Sequence, residues 1–123
     1  MTTLERKYIS VDIEASGLTP GKYSMLSLGS CLVEDTSVNF YREIKPINNN
    51  FDYCAMQVAA NGLECLKGLK IDELNPHSKK FRPRRVLDVL REKGDEPKIV
   101  MSDYAEWINK NTVGFRLCKW LLR

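Results

Sequence analysis

Apolar and polar side chains alternate near the start of the chain, with Ile9, Val11 and Ile13 set against Ser10, Asp12 and Glu14. A period of two predicts a strand over 7–14. The stretch "GLTPG" (17–21) holds both chain breakers and reads as a turn. Next comes "SMLSLGSCLVED" (24–35), a second predicted strand with Gly29 as a candidate bulge. In "SVNFYREIKP" (37–46), Val38, Phe40 and Arg42 alternate with Asn39, Tyr41 and Glu43, which predicts a third. Short connections between the three favour an antiparallel meander. After the loop "INNN" the spacing turns helical. A helix is expected from about Asp52 to Ala60, with Tyr53, Met56, Val58 and Ala59 as its apolar positions.

The second half is more broken. "NPHSKKFRPRR" (75–85) reads as a polar, basic loop interrupted by prolines. Val86, Leu87, Val89 and Leu90 make an apolar stripe on a helix over 84–94 that Gly94 stops. A further helix is predicted over 95–111, with Pro97 near its first turn. Its residues Ile99, Val100, Tyr104, Trp107 and Ile108 lie largely on one side. The end, "TVGFRLCKWLLR", is short and very apolar. Strands followed by helices in one small chain of 123 residues imply a single α/β domain.

Composition narrows the setting. No stretch is long and apolar enough to span a membrane, and the N-terminus lacks the apolar core of a signal peptide. Cysteines 31, 54, 65 and 118 have no C-x-x-C spacing, which argues against zinc, and no secretory signal supports a disulfide framework. The expectation is a cytoplasmic protein with reduced thiols. The net charge of +3 is unevenly spread, at −3 over residues 1–66 and +6 over 67–123. An acidic front half beside a basic back half suits a cation site next to a polyanion track, although uneven charge is common in small soluble proteins.

The anomaly in the pattern is the carboxylate pair of the first strand. Residues two apart on a strand share a face, with side-chain roots roughly 7 Å apart. Asp12 and Glu14 therefore converge, and each disfavours the other's ionisation unless a proton or cation intervenes. A solvated face or a charge-protected edge strand would also account for them. The chemical reading is a hard divalent ion, Mg²⁺ or Mn²⁺, held by one or two carboxylates with water and phosphate oxygens.

The segment "ISVDIEASGLTPGKYSMLSLGSCLVED" resembles the DEDD superfamily of 3′–5′ exonucleases, which includes the proofreading subunit of bacterial replicative polymerase. The likeness extends over about residues 7–66, with a weaker stretch at 86–109. It implies a ribonuclease H-like mixed sheet, opening with the antiparallel meander and followed by helices. It also implies two-metal, 3′–5′ hydrolysis of DNA or RNA from a free 3′ end. Asp12 would bridge both metals and Glu14 would bind the one that carries the attacking water. Ser16 and Gly17 would shape the turn beside the terminal nucleotide, and Leu18 would pack against its base, with plain core packing as the alternative for Leu18.

Two further carboxylate motifs of the family, N-x-x-F-D and H-x-A-x-x-D or Y-x-x-x-D, lack counterparts in the expected places. "NNNFD" (48–52) matches the first as letters but directly follows the third strand, so Asn48, Phe51 and Asp52 read as a decoy, with Asp52 as a helix N-cap or first-turn acid. His77 has no aspartate at the required spacing and reads as a solvated loop residue. Tyr53 and Tyr104 are followed four places on by Gln57 and Ile108. The expectation is thus a domain lacking its last third, by truncation or frameshift, with residues 112–123 as a divergent tail. Residues 70–85 look like an insertion whose Lys79, Lys80, Arg82, Arg84 and Arg85 could bind phosphates or simply be a solvated basic loop. Two rival readings remain beside the nuclease. One is a non-catalytic nucleic-acid-binding remnant; the other is an interaction module that self-associates or pairs through an exposed sheet edge.

Overall fold

A computed structural model describes residues 6–112. Three strands, β1 (Ile9–Ala15), β2 (Met25–Leu32) and β3 (Asn39–Glu43), form an antiparallel sheet in the order β1-β2-β3. Helices α1 (Tyr53–Gly62), α2 (Pro83–Lys93) and α3 (Pro97–Asn111) follow, with single 3-10 turns at Glu64–Leu66 and Asp72–Leu74. The meander and all three helices lie where the hydrophobic pattern put them. Among the described residues every strand pairing is antiparallel, apart from two isolated parallel bridges, Pro20 with Tyr23 and Ile44 with Asp95. The mixed sheet expected from the resemblance needs a parallel strand that these residues do not contain. The apolar tail, with Phe115, Trp120 and Leu121, lies outside them.

The sheet is covered on both faces. Leu28, Phe40 and Ile44 meet Val100, Tyr104 and Ile108 of α3, with Trp107 packed at the margin. On the opposite face Leu26 joins Met56, Ala59 and Ala60 of α1 and Val86, Leu87 and Leu90 of α2. One irregularity of register makes this division work. Glu14 pairs with Ser27 but Ala15 pairs with Met25, so Leu26 is an extra residue in β2. The bulge turns Leu26 toward α1 and α2 while Met25 faces α3. Gly29, the expected bulge, instead sits in regular register between Asp12 and Tyr41.

Local capping explains the helix boundaries. Asp52 is the N-cap of α1, its Oδ2 accepting from the Ala55 N–H at 2.8 Å. Pro83 and Pro97 open α2 and α3, where a missing N–H costs nothing. Gly94 ends α2 because the β3 exit passes against it. A Cβ there would lie 2.7 Å from the Leu90 carbonyl oxygen and 2.8 Å from the Lys45 nitrogen.

Three expectations about burial are corrected. Tyr53 and Val58 of α1 face solvent, and the buried stripe is Met56, Ala59 and Ala60. Ile99 is also exposed, since α3 turns it away from the sheet. The segment 75–85 is not wholly solvated, because Phe81 and Pro83 are buried and Phe81 meets the Tyr53 ring edge-on at 5.7 Å.

Candidate functional site

Strand alternation puts Ser10, Asp12 and Glu14 on the α1 face of β1. Asp12 lies opposite Gly29, and beyond it Tyr41; Glu14 lies opposite Ser27, and beyond it Glu43. Asp12 is exposed and Glu14 half-buried. The absence of a side chain at Gly29 leaves the floor beside Asp12 open, with the Tyr41 ring lying over it. Gly62, the last residue of α1, abuts Glu14. A Cβ at position 62 would lie 3.8 Å from Glu14 Oε1, in ordinary van der Waals contact with the carboxylate. Partial burial, and secondly the charge of Asp12, push the Glu14 carboxyl above its ordinary pKa.

Tyr41, Glu43 and Gly62 were not singled out from sequence, because the β2–β3 register that brings them across from Asp12 and Glu14 is a tertiary property. The Glu43 carboxylate accepts from the backbone N–H groups of Glu64 and Cys65, the latter at 2.8 Å, and from the Tyr41 hydroxyl. Tyr41 Oη also reaches the Gly62 carbonyl at 3.4 Å. Glu43 thereby fastens the exit of α1 to the sheet and keeps Gly62 against Glu14. Burial, then the hydrogen bond and charge of Glu43, push the Cys65 thiol up to about 12.

The turn after β1 is built rather than loose. Ser16 is fully buried; its Oγ accepts from the Ser24 N–H at 2.8 Å and its carbonyl from the Asp52 N–H at 2.7 Å. Gly17 is obligatory, since a Cβ there would fall 2.3 Å from Tyr23 Cγ. Leu18 projects from this frame at 96% exposure, which rules out core packing. Asn48 and Asn50 both donate to the Lys22 carbonyl at 3.0 Å, so "NNNFD" serves as a loop clasp and helix cap.

The basic residues divide. Arg82 and Arg85 sit 3.9 and 3.6 Å from Glu73, and Arg84 lies 3.5 Å from Asp88. Lys79 and Lys80 are exposed and have no ion pair among the described residues, and they line a cavity with Glu73, Phe81 and Arg82. His77 is exposed, and Asp103 lies on α3 at 4.0 Å from Arg42. Among the described residues no three His, Cys, Asp or Glu side chains gather in a metal-binding group. Two like-charged hard oxygen donors are nonetheless the chemistry that a hydrated Mg²⁺ or Mn²⁺ would take.

No family profile matches the chain. It is 43% identical over 76 residues to the 3′-5′ DNA exonuclease Cap18 of Escherichia coli. Those residues make up 62% of this chain and 39% of that protein, so the chain spans well under half of its relative. Over that stretch this chain is related to a nuclease. Among the described residues no helix is long and apolar enough to cross a membrane.

Proposed function

We infer that this chain carries part of a divalent-metal-dependent 3′–5′ exonuclease site acting on nucleic acid with a free 3′ end. The observation that carries the reading is the Asp12–Glu14 pair on one accessible face of β1, in a chain related to a DNA exonuclease. Asp12 and Glu14 would hold Mg²⁺ or Mn²⁺, which in such sites lowers the pKa of bound water and neutralises the leaving oxygen. Ser16 and Gly17 fix the chain beside the pair, and Leu18 offers an apolar surface to the terminal base. Gly62 lies against Glu14, and Tyr41, across Gly29 from Asp12, reaches the Gly62 carbonyl. Lys79, Lys80, Arg82, Arg84 and Arg85 supply positive charge for the phosphate backbone.

The test is cleavage of a 5′-labelled oligonucleotide in Mg²⁺ or Mn²⁺, with the 3′ end free or blocked. Expected is slow stepwise shortening of the free end only, lost in Glu14→Gln. Turnover should be weak, since only two carboxylates converge among the described residues and each ligand fixes ion position. Salt-dependent binding without cleavage would favour the remnant reading instead.

A second reading is favoured by one observation. Among the described residues β1 is paired only with β2, and its Val11 and Ile13 are 51% and 46% exposed. Such an edge recruits a strand from a second copy or another protein. Light scattering after size exclusion decides for a second copy: a larger species reduced to a monomer by Ile13→Lys supports self-pairing, and a wild-type monomer overturns it.

A further inference from the structure

On the α3 face of the sheet, opposite the carboxylates, a groove of about 660 Å³ runs between β3 and the second half of α3. Its floor is aromatic: the Phe40 and Trp107 rings lie 6.2 Å apart, and Trp107 is only partly buried. Asp103, Glu106, Trp107 and Lys110 share one side of α3, at helical spacings of three and four. Arg42 closes the β3 side. It covers the Phe40 ring at 4.7 Å and is held between Asp95 and Asp103 at 3.8 and 4.0 Å. Glu106 is exposed and has no ion pair among the described residues. Three acids, Asp95, Asp103 and Glu106, thus stand against Arg42 and Lys110.

The groove ends where α3 ends. Asn109 and Lys110 line it, the helix stops at Asn111, and Thr112 leaves helical geometry at φ −133° and ψ 84°. Residues 113–123, which lie outside the described residues, read "VGFRLCKWLLR". Val113, Phe115, Leu117, Trp120, Leu121 and Leu122 are apolar, Arg116, Lys119 and Arg123 are basic, and none is acidic. The helix from Asn111 back to Asp103 measures about 12 Å. Roughly four extended residues cover that distance.

We propose that the groove is the docking site of this chain's own segment 113–123, with Trp120 and Leu121 against Phe40 and Trp107 and the basic side chains toward Glu106 and Asp103. Continuity keeps the segment at high effective concentration, since it starts at the rim of the groove. Apolar burial drives the contact, and the excess of acids selects a basic occupant. Val11 and Ile13 of β1 are another uncovered apolar surface, but the acids of that strand point to the opposite face and offer a basic segment no counter-charge. The proposal is independent of the nuclease reading.

The test uses the full chain with its native cysteines, isotope-labelled for NMR, and compares the amide spectra of wild type and Trp120→Ser/Leu121→Ser. Signals of Phe40, Arg42 and residues 103–110 should move while those of 9–13 stay in place. Arg116→Glu/Lys119→Glu should move the same groove signals, by less at high salt. All four substitutions lie outside the described residues, so the remaining amide signals report whether each variant keeps its fold. Unmoved groove signals in both variants would overturn the proposal, and so would movement confined to 9–13. The spectra are repeated over a dilution series with light scattering. Movement that persists in the monomer supports an occupant from the same chain. Movement seen only where a dimer forms would seat a second copy's segment in the groove and overturn the proposal.

Discussion

Replacing Asp12 by Asn should stabilise the metal-free protein and abolish its stabilisation by metal. Asp12 and Glu14 are i and i+2 on β1, so their charges lie about 7 Å apart and repel by about 0.6 kcal/mol in water, or about 1.2 kcal/mol at half that dielectric. Asp12 is exposed, which favours the lower figure. Asp12→Asn should therefore add about 0.5 kcal/mol in EDTA, or roughly 2–4 °C in Tm for a domain of this size. The pH dependence has a definite sign. Glu14 has a raised native pKa, so its contribution is fully present below the ordinary glutamate value and is lost as the pH rises through the raised one. In Asp12→Asn that loss should shrink without vanishing, because burial, the larger cause, remains. With Mn²⁺ at ten times its dissociation constant the wild type should gain about 1.4 kcal/mol and the variant nothing. Urea unfolding between pH 4 and 8, with EDTA or Mn²⁺, reads all of these. An Asn variant that is less stable in EDTA, or that gains as much from Mn²⁺ as wild type, would refute the reasoning.

Three other outcomes follow from the packing. Gly94→Ala should cost about 1–3 kcal/mol, because the new methyl meets the backbone of Leu90, Ile44 and Lys45, which cannot swing aside as a side chain could; near-neutral urea unfolding would show that the chain relaxes there. Leu87→Ala, at a fully buried position, should lose about 2–5 kcal/mol while Leu18→Ala changes stability by less than about 0.5 kcal/mol; equal losses in unfolding would mean that Leu18 is not the free surface described. Glu43→Gln should lower the Cys65 pKa and speed its reaction with a disulfide reagent at pH 8, measured with Cys31, Cys54 and Cys118 replaced by Ser; an unchanged rate would show that burial alone governs the thiol.

The structure ties stability and chemistry together at one junction. Glu43 holds the exit of α1, and the exit holds Gly62 against Glu14. Loosening Glu43 should thus disturb Glu14 through Gly62.

Local pattern was enough to locate three strands and three helices and to pick out Asp12 and Glu14, because period and capping act over a few neighbouring residues. Pro83, Pro97 and the Asp52 cap mark boundaries by backbone constraints that need no partner, whereas Gly94 also answers to the β3 exit packed against it. What the alternation could not reveal was which strand residues face one another. The extra residue at Leu26, and with it the row from Glu14 through Ser27 to Glu43, depends on inter-strand register. Register is set by both packed faces together, as Leu26 and Met25 seek opposite cores. The exposure of Val58 and Ile99 was hidden for the same reason, since an apolar residue on a helix is buried only where another element meets it. The cavity lined by Asn61, Leu63, Leu69 and Ile71 likewise exists only because the end of α1 and the segment 66–76, distinct in sequence pattern, close against each other in space.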